Sequence, residues 1–291
     1  MTLIKAIIMG IIQGVAEFLP VSSSGHLAIF KHILNIETDT GLLFDILLHL
    51  GTLIAIFIVF WKDIKELIVE GFSILGDFFI NAFFWVSNLF SSKKKEYKKV
   101  ITTPYRRFVM LIIISTIPTG ICGFMFRDLI EEASATVIIP GLLLLLTGVL
   151  LIIADRTTYG NKNESSVTYK DAVSVGLAQG IATFPGLSRS GTTITACLVC
   201  GFEKTFAVKY SFIMSIPAVF GAVVLELKDI GSVSVSSAEL INYLIGTVVA
   251  AVVGYICIKT MLVIVRGKKF IGFSIYCFIV GAIAVIGYFI V

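Results

Sequence analysis

The 291-residue sequence predicts an all-α polytopic membrane protein built from two inverted-topology repeats. Three observations lead there: its composition, an internal duplication, and the alternation of basic and neutral loops. Hydrophobic residues make up 57% of the chain and charged residues 14%, at a mean hydropathy of +0.99. A soluble domain carries about 25% charged residues. The charge-free runs 108–126, 133–154, 240–258 and 270–291 hold 19 to 22 residues, enough for a helix to cross about 30 Å of hydrocarbon. The shorter runs 46–61 and 210–225 become spans when a flanking polar residue is drawn in, which predicts six spans.

The duplication is read directly. Residues 6–27, AIIMGIIQGVAEFLPVSSSGHL, align without a gap on residues 172–193, AVSVGLAQGIATFPGLSRSGTT, with nine identities in 22 at an offset of 166. The same offset carries Lys62-Asp63-Ile64 onto Lys228-Asp229-Ile230. One integral membrane domain, 1–291, therefore divides into repeat 1 (1–160) and repeat 2 (161–291). Each repeat opens on two apolar stretches around a Pro/Gly/Ser break, too short to cross singly. In lipid, an irregular backbone survives only where protein or a wet cavity satisfies it, so each pair reads as a re-entrant helical hairpin.

In chain order, repeat 1 is a hairpin over 3–34, a span near 44–61, an insertion over 62–104, and spans near 105–126 and 135–154. Repeat 2 is a hairpin over 171–201 and spans near 207–227, 239–263 and 270–290. Within the insertion, residues 71–99 combine an aromatic amphipathic helix with a basic tail, expected along the cytoplasmic interface. The N-terminal stretch lacks a basic n-region and a small-residue cleavage site, so a signal peptide is not expected.

Orientation follows from charge. Nine Lys/Arg lie in 62–107, three in 155–171 and three in 264–270 (Arg266, Lys268, Lys269), against Arg127 alone in 127–132 and Lys228 alone in 226–239. The positive-inside rule makes the first group cytoplasmic. The first hairpin then opens outward and the second inward, and three spans per half require the halves to be inverted. Both criteria agree. The five cysteines all fall in apolar segments, where Cys197-x-x-Cys200 reads as packing rather than a metal or redox pair.

The polarity this chain otherwise avoids collects at the two breaks, LPVSSSGHL and FPGLSRSGTT. A helix restarting after Ser-Gly presents free N–H groups and a positive dipole end, which suits phosphate. Gly25 and Gly191 permit close backbone approach, and Ser22, Ser24, Ser188, Ser190, Thr192 and Thr193 add hydroxyls. Arg189 adds a planar fork for bidentate phosphate contact, and an arginine at this depth marks function. The repeats differ where chemistry would need them to: Glu17 faces Thr183, Ser23 faces Arg189, and His26 faces Thr192.

Gln13 and Glu17, four apart, share a helix face and offer two oxygens to Mg²⁺ or Ca²⁺. His26, one turn after Ser23, is within reach as general acid or base. Asp45 and His49, again four apart, either support the site or pack. His32 reads as packing.

With those residues in place, GVAEFLPVSSSGHL and PGLSRSGTT resemble the two signature segments of the bacterial undecaprenyl-diphosphate phosphatases of the bacitracin-resistance type. The resemblance covers the whole chain and implies release of the terminal phosphate from a C55 polyprenyl diphosphate. It further implies recycling of that carrier for peptidoglycan synthesis, bacitracin resistance, and a bacterial plasma-membrane location. It assigns catalytic roles to Glu17, Ser23, His26 and Arg189, with Gln13 in the variable Glu/Gln place beside a divalent cation. Either Ser23 or a water it positions attacks phosphorus. The implied partners are the lipid substrate and the bilayer, with no nucleic acid, and a homodimer is compatible.

Two competing readings bear on the same residues. Acid-phosphatase-like lipid phosphatases need a histidine downstream of their Ser-Arg segment, but here His26, His32 and His49 all precede Ser188-Arg189. A polyprenyl-phosphate flippase would use the same phosphate cradle and inverted repeats, though it has little use for Glu17 and His26 beside Arg189.

Overall fold

The structure, a computed structural model, describes residues 1–34, 36, 38–91, 93–134, 136–158, 160–229, 236–267 and 270–290, with the side chains of 32, 33, 38–42, 225–229 and 290 outside the description. His32, the match at Lys228-Asp229-Ile230, and Lys268 and Lys269 therefore lie outside the described residues or side chains. Twelve helices make up the described chain: α1 Leu3–Phe18, α2 Ser23–Ile33, α3 Thr38–Val59, α4 Trp61–Phe90, α5 Pro104–Met125, α6 Arg127–Ser134, α7 Ile138–Arg156, α8 Tyr169–Ile181, α9 Arg189–Val199, α10 Lys204–Asp229, α11 Ser237–Arg266 and α12 Ile271–Ile290.

Six of them are long and apolar enough to cross a membrane: α4, α5, α7, α10, α11 and α12. The expected spans from 105 onward fall on the last five. The expected first span falls on α3, a 22-residue helix, and α4 is long and apolar enough besides because its second half carries no charge.

The starts of the helices are written in sequence. Thr168 and Asp171 form a reciprocal capping box on α8, as Ser236 and Glu239 do on α11. Thr103 caps α5 with Pro104 in its first turn, where a missing N–H costs nothing. Over the residues of each expected hairpin the chain forms two short helices, α1/α2 and α8/α9, separated by non-helical segments over 19–22 and 182–188.

Each first short helix packs on a long helix of the other half, α1 on α11 and α8 on α5, while α7 packs on α12. Lipid-facing helices gain nothing from hydrophobic burial, so such pairs depend on close backbone approach. Gly10 and its repeat mate Gly176 supply it. A Cβ on Gly10 would sit 2.4 Å from the Gly246 carbonyl oxygen, and one on Gly176 2.2 Å from that of Ser115. Among these helices the core is aromatic, with Phe18 edge-on to Phe212 at 5.4 Å and Phe108, Phe202, Phe206 and Tyr210 clustered nearby. The five cysteines are free, four of them buried, as packing residues should be.

Candidate active site

The two breaks meet. The Gly186 N–H donates to Ser24 Oγ at 3.4 Å, and a Cβ on Gly191 would lie 3.1 Å from Pro20 Cβ. Gly186 has φ +93, a left-handed backbone that glycine adopts without penalty, and it rests on Pro140 of α7.

The helix starts at the two breaks are built alike. Ser22 Oγ accepts from the Gly25 N–H at 3.4 Å and lies 3.3 Å from Ser24 Oγ. Ser188 Oγ accepts from the Gly191 N–H at 3.1 Å and lies 3.4 Å from Ser190 Oγ. These are the residues that the 166-residue offset pairs, and they serve as N-caps. One departure is local: Ser22 has φ 70, a strained conformation for a residue with a Cβ, immediately before Ser23.

At the junction, one carboxylate gathers the polar groups. Arg189 Nη2 donates to Glu17 Oε1 and closes an ion pair between the two halves. Ser23 Oγ donates to Glu17 Oε2 at 2.7 Å, and Gln13 Nε2 donates to the same oxygen at 3.1 Å. Gln13 Nε2 is also 2.9 Å from His49 Nδ1, and an amide nitrogen only donates, so His49 accepts there and carries its proton on Nε2. Gln13 is fully buried, and its Oε1 has no hydrogen-bond partner among the described residues.

The cleft beside this pair is lined by Glu17, Phe18, Arg189, Ser190, Ser211, Phe212 and Ser215 and measures about 10 Å³, room for about one water. Thr193 Oγ1 lies 2.5 Å from Ser211 Oγ and donates to the Arg189 carbonyl at 2.8 Å, fixing the turn that carries the guanidinium.

The expected site residues thus divide into three groups. Gln13, Glu17, Ser23 and Arg189 converge, Ser190 lines the cleft with Thr193 bonded behind it to Ser211, and Ser22, Ser24, Ser188, Gly25 and Gly191 form the caps and the crossing. Thr192 is buried, with its hydroxyl unpartnered among the described residues. His26 is not turned toward Ser23. Its Nδ1 lies 2.7 Å from the Ser22 carbonyl, to which it must donate, and its Nε2 lies 2.6 Å from the Tyr276 hydroxyl. The two rings stack 5.6 Å apart at 11°. Asp45 pairs with Lys31, tying α3 to α2.

Sequence reasoning missed Ser211, Ser215 and Tyr276. The first two were within its reach: subtracting 166 gives 45 and 49, so they are the repeat mates of Asp45 and His49. Tyr276 has no such signal, because it lies 250 residues from His26 in an apolar helix.

Fold and site together define a multi-pass helical membrane protein with a charged site at the junction of two interrupted helices. A family profile described as Bacitracin resistance protein BacA matches residues 6–283, and the chain belongs to that family. It is 41% identical over 284 residues to an undecaprenyl-diphosphatase of Methanosphaera stadtmanae, covering 98% of this chain and 97% of the relative. An undecaprenyl-diphosphatase of Halothermothrix orenii is 39% identical over 286 residues, 98% of each chain. One from Desulforapulum autotrophicum is 37% identical over 291 residues and the full length of both.

Proposed function

We propose that this protein is an undecaprenyl-diphosphate phosphatase, a membrane hydrolase that cleaves the terminal phosphate from the C55 polyprenyl carrier and so returns undecaprenyl phosphate to peptidoglycan synthesis. The observation that carries this is the junction, where a guanidinium from one half and a serine hydroxyl from the other share the Glu17 carboxylate. The relatives' names are those of hydrolases, which favours this over a flippase using the same cradle.

In the reaction, Arg189 exchanges Glu17 for the substrate's phosphate oxygens and stabilises the charge that builds there. The cap N–H groups and the hydroxyls of Ser188, Ser190, Thr192 and Thr193 hold the diphosphate. The hydrogen bond to Glu17 favours Ser23 over water as nucleophile. Ser23 Oγ bonds to the terminal phosphorus while its proton passes to Glu17. The bond from that phosphorus to the bridging oxygen breaks, undecaprenyl phosphate leaves, and water then releases inorganic phosphate from Ser23. His26, buried and held by Tyr276, relays protons.

Gln13 Oε1, buried and unpartnered, and the Glu17 carboxylate fit a hard divalent cation, Mg²⁺ or Ca²⁺, with substrate and water completing the shell. When bound, it would supply further positive charge on the phosphates.

The architecture we favour keeps two re-entrant hairpins and inverted halves. The reciprocal packing of α1 on α11 and of α8 on α5 supports it. Basic loops would be cytoplasmic and the first hairpin open to the outer face of the plasma membrane.

The decisive experiment is phosphate release from undecaprenyl diphosphate by purified protein, with and without EDTA. Wild type should release phosphate, while Glu17→Ala and Arg189→Ala should not. Full activity in either variant refutes the site, and lipid movement in vesicles without phosphate release would favour the flippase.

A further inference from the structure

The segment 61–100 is a second, separate device. At its base, α4 is tied to the bundle: Tyr105 Oη and Lys209 Nζ donate to Asp63 at 2.9 and 3.0 Å, and Arg106 donates to Glu70 at 2.7 Å and Asp77 at 2.6 Å. Beyond Asp77 the sequence FFINAFFWVSNLF carries no charge, and Phe78, Phe79, Phe83, Trp85, Leu89 and Phe90 are exposed.

The chain then returns antiparallel along the same helix. Asn88 brackets Lys95, donating to its carbonyl at 2.9 Å and accepting from its N–H at 2.7 Å. Asn81 brackets Lys98 in the same way at 2.8 and 2.8 Å. Seven helical residues rise roughly 10 Å, and three residues of nearly extended chain cover roughly the same distance. The two amides therefore clamp the strap in one register. Its exposed side chains include Lys93, Lys94, Lys95, Lys98 and Lys99 against a single Glu96, and the Lys95 ammonium lies 5.0 and 5.3 Å from the Phe83 and Phe84 rings.

By length and composition α4 would cross a membrane. Crossing would carry the clamped Lys95 and Lys98, with Lys93, Lys94 and Lys99 on the same strap, into hydrocarbon beside residues 81–88, which is strongly disfavoured. At the interface the same parts are satisfied, with rings at the acyl boundary and ammonium groups among phosphates. We propose that the second half of α4 and its lysine strap form an interfacial paddle that binds the anionic phospholipid headgroups of the protein's own bilayer. Charge complementarity selects this occupant, since a net positive strap is locked against an uncharged aromatic face.

Both tryptophans, Trp61 and Trp85, lie on α4, so full-length Trp61→Phe leaves Trp85 as the sole reporter. Reconstituted in bilayers with brominated lipids, Trp85 should be quenched most by bromines near the headgroup end of the chains. At equal mole fraction, brominated phosphatidylglycerol should quench about twofold more than brominated phosphatidylcholine, reflecting local enrichment around the lysines. Changing the five lysines to Gln should erase that difference. Asn81→Ala/Asn88→Ala should weaken it while leaving the depth of Trp85 unchanged. Strongest quenching from mid-bilayer bromines would mean α4 spans and would overturn the proposal. So would equal quenching by the two lipids in wild type, or no quenching together with cross-linking between copies through α4. Phosphate release should persist in the variants, separating this result from any failure of the active-site reading.

Discussion

The two breaks share a scaffold and divide the chemistry. Ser22 and Ser188, Ser24 and Ser190, and Gly25 and Gly191 make the same caps in both halves. Gln13 and Gln179 are both fully buried with Oε1 unpartnered among the described residues. At the mates that differ, the first half holds Glu17, Ser23 and His49 and the second holds Thr183, Arg189 and Ser215. Thr183 merely returns its hydroxyl to the Gly180 carbonyl at 2.6 Å. Positions the duplication kept therefore build the junction, and positions it changed carry charge.

The sharpest way to break that comparison is at the ion pair. Glu17→Ala or Arg189→Ala should each lower phosphate release by about 10³-fold or more, the scale of a lost phosphate-stabilising arginine. Each should also destabilise by about 3–5 kcal/mol, because one charge is left buried alone. Glu17→Ala/Arg189→Ala should recover most of the melting temperature and none of the activity. Recovery of activity would place the chemistry elsewhere.

Next come the helix seats, which should respond alike in both halves. Gly10→Ala and Gly176→Ala would each drive a methyl into a carbonyl oxygen and should cost about 1–3 kcal/mol. Thermal unfolding in detergent reads this, and a loss in only one half would undo the equivalence.

A smaller effect belongs to a contact between the halves that reaches His26, where the other half carries Thr192. Tyr276→Phe removes the hydroxyl hydrogen-bonded to His26 Nε2 and should lower kcat about fivefold, worth roughly one hydrogen bond. It should add nothing to His26→Ala, and additive losses in the double variant would separate the two residues.

The smallest effect is expected at the uncharged mate of Glu17. Thr183→Ala should leave turnover within about twofold, although it sits where Glu17 sits in the other half.

Much of this was legible in the sequence because it is written locally. Spans are charge-free runs, breaks are Pro/Gly/Ser clusters, and the offset of 166 exposes every position where the halves differ. Glu17, Ser23 and Arg189 stood out because lipid makes polarity conspicuous. The orientation of His26 was not legible. Its spacing from Ser23 permits a contact, but the Ser22 carbonyl and Tyr276 claim both ring nitrogens, and only the fold brings residue 276 there. The aromatic run and basic tail of 71–99 already set that segment apart from the spans, but not how the tail is held, folded back beside α4 through Asn81 and Asn88.

The Glu17–Arg189 pair also sets a clock on biogenesis. Its partners are 172 residues apart in sequence, which at ribosomal speeds of about 5–20 residues per second is roughly 10–30 seconds of synthesis. For that interval the first hairpin carries an acid with no cation to meet, and α1 waits still longer for its seat on α11. Chains arrested before α9 should therefore fail to bury α1 and be cleared by proteolysis, which pulse-chase of truncations can read. The ion pair at the junction doubles as a receipt for a finished chain.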